Sequence, residues 1–597
     1  MKLSKLVGQA SLNTRIARRF LPDLAPQRWR FLAALGSGVA STALELLRPW
    51  PLQWIVDYAL TPGATVGTSA TRVVLYGAGA YLGISVLRAG CDYVATVQTA
   101  RSNQELTRSL RYKLFSHLVA LSPAFHARNK SGDLLVRLMG DVSVVASMMT
   151  ETLVELLQRS LLIVGTLAML FWIDPVLTAS LLVIAPLLFV AVTYVGRNIT
   201  SAVRKQRRKE GELADYMYES IASTPLIQSL GRGADTVRRF ARSNRTSARA
   251  GLKTARWSAR LSSAVEIALG LAVAIALAVG AWRVLGGAYS AGTLIVFVSY
   301  VRSLAKPVRA GSRGSERMSK GAACGERVLK VLDQSVQIQS PADPAPMPKS
   351  PAVLAFEDVR FGYGTSSGRR SALENFTARF RRGEFVGLVG KSGAGKSTFA
   401  CLALRLFDPD QGEVQIDGVS LARYDVGALR ARFGLCMQET TLFGDTLREN
   451  LLLGDPEATE EALWRALEDA AAAEFVRELP RGLDTPLGSA GVGLSGGQRR
   501  RITLARTLLR RAPILIVDEP FNGLDRAAAE RVRATLAAYA KNAIVLVITH
   551  DRDDLVHFDR VVFLDGGRVV ADGRHGELLR DHTLYRQVMN DPVEDKP

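Results

Sequence analysis

Residues 385 to 398 read FVGLVGKSGAGKST, a short apolar run leading into a G-x-x-x-x-G-K-[ST] loop from Gly390 to Ser397. Gly390, Gly393 and Gly395 permit a tight turn whose backbone N–H groups wrap phosphates, Lys396 reaches the β and γ groups, and the Ser397 hydroxyl ligates Mg²⁺. Lys391, Ser392, Ala394 and Thr398 complete this candidate nucleotide cradle. A second apolar run, PILIVDEP at 513 to 520, ends in two acids. Asp518 suits a Mg²⁺ ligand acting through water, and Glu519 suits the general base that polarises the attacking water. A third stretch, VGLSGGQRRR at 492 to 501, opens a helix on Ser495, Gly496 and Gly497, with backbone N–H groups exposed where an anion could sit. One chain thus carries two phosphate-seeking turns, and the second needs a reason.

The elements that position these residues fall into two unlike halves. The first half is rich in long apolar runs; the second alternates short apolar runs with charged helical stretches. Six hydrophobic segments, about 31–56, 73–97, 150–172, 176–196, 262–283 and 290–310, are each long enough to cross roughly 30 Å of hydrocarbon at 1.5 Å per residue. The net charge of +20 would suit a nucleic-acid binder, but its distribution excludes that reading. Lys and Arg cluster before the first segment, between about 99 and 148, and between about 197 and 260, whereas residues 59–71, 173–175 and 284–291 hold none. This alternation follows the positive-inside rule for six spans with both chain ends in the cytoplasm; the expected location is a bacterial inner membrane. The basic N-terminus runs into a full-length span without a small-residue cleavage site, so it reads as an anchor and not as a signal peptide. Cys91, Cys324, Cys401 and Cys436 are scattered, without metal-ligand spacing.

Apolar and charged residues mix at helical spacing over 99–121 and 203–222, so the spans are expected to continue beyond the bilayer as cytosolic helices. QSPADPAPMPKSPA, residues 339 to 352, reads as a linker. The expected organisation is a cytosolic segment (1–30), a membrane domain (31–320), a linker (321–352), a nucleotide-binding domain (353–590) and a tail (591–597). In fold class this is a six-span α-helical membrane bundle with long cytosolic extensions, followed by an α/β phosphate-loop domain bearing a helical signature subdomain.

The phosphate loop, LSGGQ at 494 to 498 and the acidic strand, in this order and spacing, resemble the ATP-binding cassette transporters, and the full length resembles exporter-type half-transporters. The resemblance implies that Tyr363 in FGYG stacks on adenine, that Gln438 in CMQET senses Mg²⁺ and contacts the membrane domain, that His550 in VITHD touches the γ-phosphate, and that Asp525 in NGLD sits at a dimer seam. It also answers the puzzle of the second turn. In the family, Ser495, Gly496, Gly497 and Gln498 would cap ATP held on the partner protomer's phosphate loop, so two turns imply two chains. The expected cofactors are ATP and Mg²⁺. The expected partners are a second protomer, preferably an identical one, the lipid bilayer and an amphipathic or lipid-like solute, with no nucleic acid. The activity implied is ATP hydrolysis driving alternating access; a chelate importer and an ATP-gated channel share the same motifs.

FHARNKSGDLLVRLMGDV, 125 to 142, resembles a first intracellular coupling region, with Gly132, Asp133, Arg137 and Asp141 in pattern. The chain departs from the family in two places: Ser489 and Ala490 replace the usual acidic and basic residues before the signature, and Pro225 follows Glu219 where a regular helix is usual. Within the first span, Pro49 and Pro51 beside Glu45 and Arg48 should kink the helix. Arg88 and Asp92, one turn apart in the second span, either line a polar solute path or neutralise each other, and Glu155, Arg159, Glu266 and Arg302 either line that path or snorkel at the membrane boundary or pair at helix ends, the latter being expected for Arg302.

Overall fold

The structure, a computed structural model, describes residues 15–16, 18–59, 68–182, 184–365, 368–438, 440–488 and 493–590. Ser489 and Ala490 lie outside these residues, as does the tail 591–597. The chain forms two units: Met1–Val119 with Ser131–Gln334, and Ala120–Lys130 with Ser335–Pro597.

The first unit is helical. Four of its helical runs are long and apolar enough to cross a membrane: Arg18–Tyr58, Thr71–Ala120, Ser131–Ile173 and Gly233–Leu285. The expected fourth segment falls on Pro175–Leu182 and Ile184–Ala222, and the sixth on Ala291–Ser303 continued by Ala305–Leu332. Thr68–Ala120 is one helix of 53 residues. At 1.5 Å per residue it measures roughly 80 Å, far more than a bilayer needs, so it extends well past the hydrocarbon as its composition suggests. Leu82, Val86, Leu87, Ile267, Leu271 and Trp282 are exposed on these helices. Such outward apolar faces are stable where lipid or a partner chain covers them.

The first span kinks where its prolines fall. Arg28–Leu47 ends in a turn at Arg48 and Pro49, and Trp50–Ala59 resumes the path. Tyr300 repairs the break: its hydroxyl accepts the Trp50 indole N–H at 2.9 Å and donates to the Leu46 carbonyl. The run Ser131–Ile173 contains two π-helical turns, Arg137–Asp141 and Met148–Thr152. Beside the first, buried Asp141 accepts two hydrogen bonds from Arg327, at 2.7 and 2.6 Å. Pro225 causes no distortion, because it starts a new short helix, Thr224–Ser229, after a turn at Ser223.

The second unit holds two sheets. Strands β1 (Val353–Thr365), β2 (Gly368–Arg381), β4 (Gln411–Ile416) and β5 (Val419–Ser420) form an antiparallel sheet ordered β2-β1-β4-β5. The larger sheet takes β3 (Phe385–Gly390), β6 (Phe433–Cys436), β7 (Ile514–Asp518), β8 (Ile544–Ile548), β9 (Arg560–Asp565) and β10 (Arg568–Gly573) in the order β10-β9-β3-β8-β7-β6. All its pairings are parallel except β9 with β10. Every residue of β3 and β8 is buried, the burial expected of continuous apolar strands covered on both faces. Parallel pairing puts the carboxyl ends of β3, β6, β7 and β8 along one edge, which is where the loops bearing the sequence motifs emerge.

Candidate nucleotide site

The phosphate loop turns where glycine is required. Gly393 and Gly395 have φ of +83° and +104°. A Cβ at Gly395 would also lie 2.6 Å from the Ala372 carbonyl oxygen, so both backbone conformation and space select glycine. The helix Lys396–Ala403 begins directly after it, with its first N–H groups at the loop. Lys396 folds back over the loop, donating to the carbonyls of Gly390 at 2.6 Å and Lys391 at 3.1 Å. Burial pushes its pKa down, while Asp518 and Glu519 pull it up. Tyr363, at the end of β1, is half-buried against Phe361 and Phe407, with its hydroxyl 3.3 Å from Thr398 Oγ1. The expected adenine platform is thereby joined to the phosphate helix.

Glu519 is where the other motifs meet. It follows β7 at φ +51°, and its N–H donates to the Ile548 carbonyl at the end of β8, at 2.8 Å. Its side chain holds three partners from separate loops. Gln438 Nε2 donates to Oε2 at 2.8 Å, His550 Nδ1 lies 2.8 Å from Oε1, and Asn522 Nδ2 donates to Oε2 at 3.4 Å. Four residues spread over more than a hundred positions are therefore brought together. Beside them, Asp518 is pushed up to about 6, first by burial and then by the adjacent Glu519 charge, against the pull of Lys396, Arg500 and His550. Two crowded carboxylates and the exposed Ser397 hydroxyl form an oxygen-rich donor set that suits a small divalent cation.

The signature turn reaches this cluster through the loop after Glu519, not through the phosphate loop. Ser495 caps the helix Gly496–Leu509 in a capping box: its Oγ accepts from Gln498 N at 3.2 Å, and its N–H donates to Gln498 Oε1 at 2.9 Å. Among the described residues, neither Ser495 nor Gln498 shares a hydrogen bond with the phosphate loop of its own chain. Gly497 packs so tightly on the loop after Glu519 that a Cβ would lie 2.8 Å from the Gly523 carbonyl oxygen. Arg500 donates to the Asn522 carbonyl on that loop. Asp525 caps the helix Arg526–Ala540 by accepting from Ala528 N at 2.8 Å.

Three contributors carry no sequence signal of their own: Asn522, Arg500 and Arg128. Arg128, from the excursion Ala120–Lys130, donates to the Gly364 carbonyl at 3.1 Å, directly after Tyr363. Only proximity to a motif marks Asn522 and Arg500, and nothing local marks Arg128.

Two family models match the chain: one for the ABC transporter transmembrane region over residues 31–308, and one for ABC transporter over 373–522. A Staphylococcus aureus protein named for multidrug export, an ATP-binding/permease protein, is 27% identical over 572 residues, covering 96% of this chain and 99% of its own length. YgaD of Bacillus subtilis, of the same description, is 26% identical over 573 residues, with coverage of 96% and 98%. The solved structure of a bacterial Atm1-family ABC exporter with ATP bound superposes at a TM-score of 0.80 with 26% identity, covering 94% of this chain and 98% of that one.

Proposed function

The chain belongs to the ATP-binding cassette transporters as an exporter-type half-transporter, with a multi-pass membrane part fused ahead of one ATP-hydrolysing domain, and on that premise we propose that two copies of it pump an amphipathic or lipid-like solute out of the cytoplasm. The proposal takes the domain limits near 31–320 and 353–590, both chain ends on the cytoplasmic side of an inner membrane, and an identical partner.

The observation that carries the reading is the capture of both Glu519 carboxylate oxygens by Gln438 and His550. A general base must be oriented as well as basic, and these partners orient it from two neighbouring strand ends. Glu519 accepts the proton of the attacking water, and His550, 2.8 Å from its carboxylate, touches the γ-phosphate. Lys396 exchanges its two loop carbonyls for β- and γ-phosphate oxygens as ATP arrives, and Tyr363 supports the base. Gly390 to Thr398 cradle the phosphates. Ser397, Gln438 and Asp518 would hold Mg²⁺, which when bound offsets charge on the phosphates. That Ser495, among the described residues, shares no hydrogen bond with its own phosphate loop is consistent with its serving the partner's ATP, together with Gly496, Gly497 and Gln498 and with Asp525 at the seam. ATP then binds the closed pair more tightly than the open pair, which is the differential affinity that any ligand-driven motion requires. The solute class is supported by relatives named for multidrug export.

The test is reconstitution of the purified chain alone in lipid vesicles, measuring ATP hydrolysis and accumulation of a fluorescent amphipathic dye against its gradient. Hydrolysis with accumulation is expected. No hydrolysis by the single chain overturns the identical partner, and hydrolysis without accumulation against a gradient favours a gated channel.

A further inference from the structure

Asp554 is a buried charge that the hydrolytic chemistry described above does not use. It is 2% exposed, and among the described residues of the second unit only Arg405 is a comparably buried charged residue. Burial pushes the Asp554 carboxyl above the usual carboxylate range, while Arg533 pulls it down. Arg533, on the helix Arg526–Ala540, donates from Nη2 to Asp554 Oδ1 at 2.5 Å. A buried ion pair contributes little net stability, because desolvation offsets most of the attraction. The place of this one in the fold supplies a different reason for it.

The pair stands between the two loops that meet at Glu519. On one side, the Arg533 guanidinium lies over the Phe521 ring, 5.1 Å from its centroid, and Phe521 follows Glu519 by two residues. On the other, Asp554 belongs to the short helix Arg552–Leu555 that comes after His550. Thr549 Oγ1 donates to Asp554 Oδ2 at 3.4 Å and accepts the Asp551 N–H at 3.1 Å, so both neighbours of His550 are tied to Asp554. His550 itself lies in no helix or strand, and its side chain is 53% exposed. Among the described residues, that side chain's one hydrogen bond is the contact with Glu519. An exposed imidazole held by a single bond keeps its place only where its backbone is anchored. The Thr549 N–H, donating to the Leu388 carbonyl at 3.3 Å, fixes the start of the loop. Beyond that point the anchor is Asp554 and, through it, Arg533. A ring of contacts thus runs from Glu519 through Phe521, Arg533, Asp554 and Thr549 to His550 and back to Glu519.

We propose that Arg533 is a positioning residue for ATP hydrolysis: through Asp554 it holds residues 549–551, and by stacking on Phe521 it keeps that loop in register with Glu519, so that His550 stays on the Glu519 carboxylate. This rests on the reading of Glu519 and His550 as the pair that acts at the γ-phosphate, and it adds what aligns them. Arg533 reaches the reaction only through these neighbours.

The test measures single-turnover ATP hydrolysis, equilibrium ATP affinity and melting temperature on the full-length protein in lipid vesicles. The variants are Arg533→Met and Asp554→Asn, alone and together, and each combined with His550→Gln. Single-turnover conditions read rates too slow for steady state. Arg533→Met and Asp554→Asn should each slow hydrolysis by about tenfold, as a small misplacement of a reacting group does, with ATP affinity changed by less than about twofold because the phosphate loop is untouched. The two changes together should slow it no more than either alone, because they break one contact. In the His550→Gln background neither should slow hydrolysis further, while each still lowers the melting temperature. If Arg533→Met fails to fold, Arg533→Lys, which keeps a charge for Asp554 but has no plane to lay on Phe521, must show a smaller loss of rate with the same dependence on His550. A pair that only braces the fold would lower the melting temperature and leave the rate unchanged, or slow it equally with and without His550. Either result overturns the inference, as does a loss of ATP affinity that accounts for the loss of rate. Absence of hydrolysis by the wild type overturns the reading and the inference together, whereas wild-type hydrolysis that the variants leave intact overturns the inference alone.

Discussion

Glu519 adopts a left-handed backbone that a residue with a Cβ rarely takes, and it is held there by the Ile548 carbonyl and three side chains. Replacement by Gln keeps the size and leaves the phosphate loop untouched, so nucleotide binding should persist while turnover falls roughly 10²- to 10⁴-fold. Paired measurement of nucleotide affinity and steady-state hydrolysis checks this, and near-normal turnover would refute the assignment. Gly497→Ala makes a different demand. Its Cβ would meet the Gly523 carbonyl oxygen at 2.8 Å, displacing the loop whose Asn522 reaches Glu519. Hydrolysis should fall several-fold, an order-of-magnitude expectation for a displaced supporting contact, with little change in melting temperature; a large thermal loss and intact hydrolysis would argue for a packing role alone. Most of these residues are legible in sequence because their work is local: a glycine turn, a strand-end acid, a cap. Arg128 is not, because it acts through a partner 236 residues away along the chain, which leaves no periodic trace; Asn522 is not, because an amide three residues after an acid is commonplace in loops and carries no signal of its own.

The kink in the first span shows the same limit between elements. Pro49 and Pro51 announce the break, but not its repair by Tyr300, 250 residues from Trp50. Tyr300→Phe would leave the Trp50 N–H and the Leu46 carbonyl without that partner, at a cost of about 1–3 kcal/mol if neither finds another. Its melting temperature in detergent should fall, and an unchanged value would mean that water already serves these groups. Helical spacing likewise pairs Arg88 with Asp92, since an i, i+4 rule sees only one helix. The structure keeps that ion pair, at 3.8 Å, and adds a hydrogen bond from Arg88 to Glu45 on the neighbouring span, at 2.9 Å. The spans themselves are visible in sequence because hydrocarbon thickness imposes a length, whereas their pairing is set by contacts that composition does not encode.

For the whole molecule, the proposal that Ser495 serves the partner's phosphate loop forecasts complementation. In a heterodimer with Lys396→Ala in one chain and Ser495→Arg in the other, sites shared between chains would concentrate both lesions in one site and leave the second intact. Measurable hydrolysis is expected from that mixture and not from either double-mutant homodimer; activity no higher than in those homodimers would place each signature turn with its own loop. The second unit is also assembled from distant stretches, since Ala120–Lys130 belongs with Ser335–Pro597. Arg128 and the Gly364 carbonyl are 236 residues apart. At translation rates of roughly 5–20 residues per second, the excursion leaves the ribosome about 10–50 s before its acceptor exists. Throughout that interval Ala120–Lys130 is an orphan, so a ribosome stalled inside the membrane half would present it to chaperones and proteases, and a nucleotide-binding half expressed alone would lack one of its own parts.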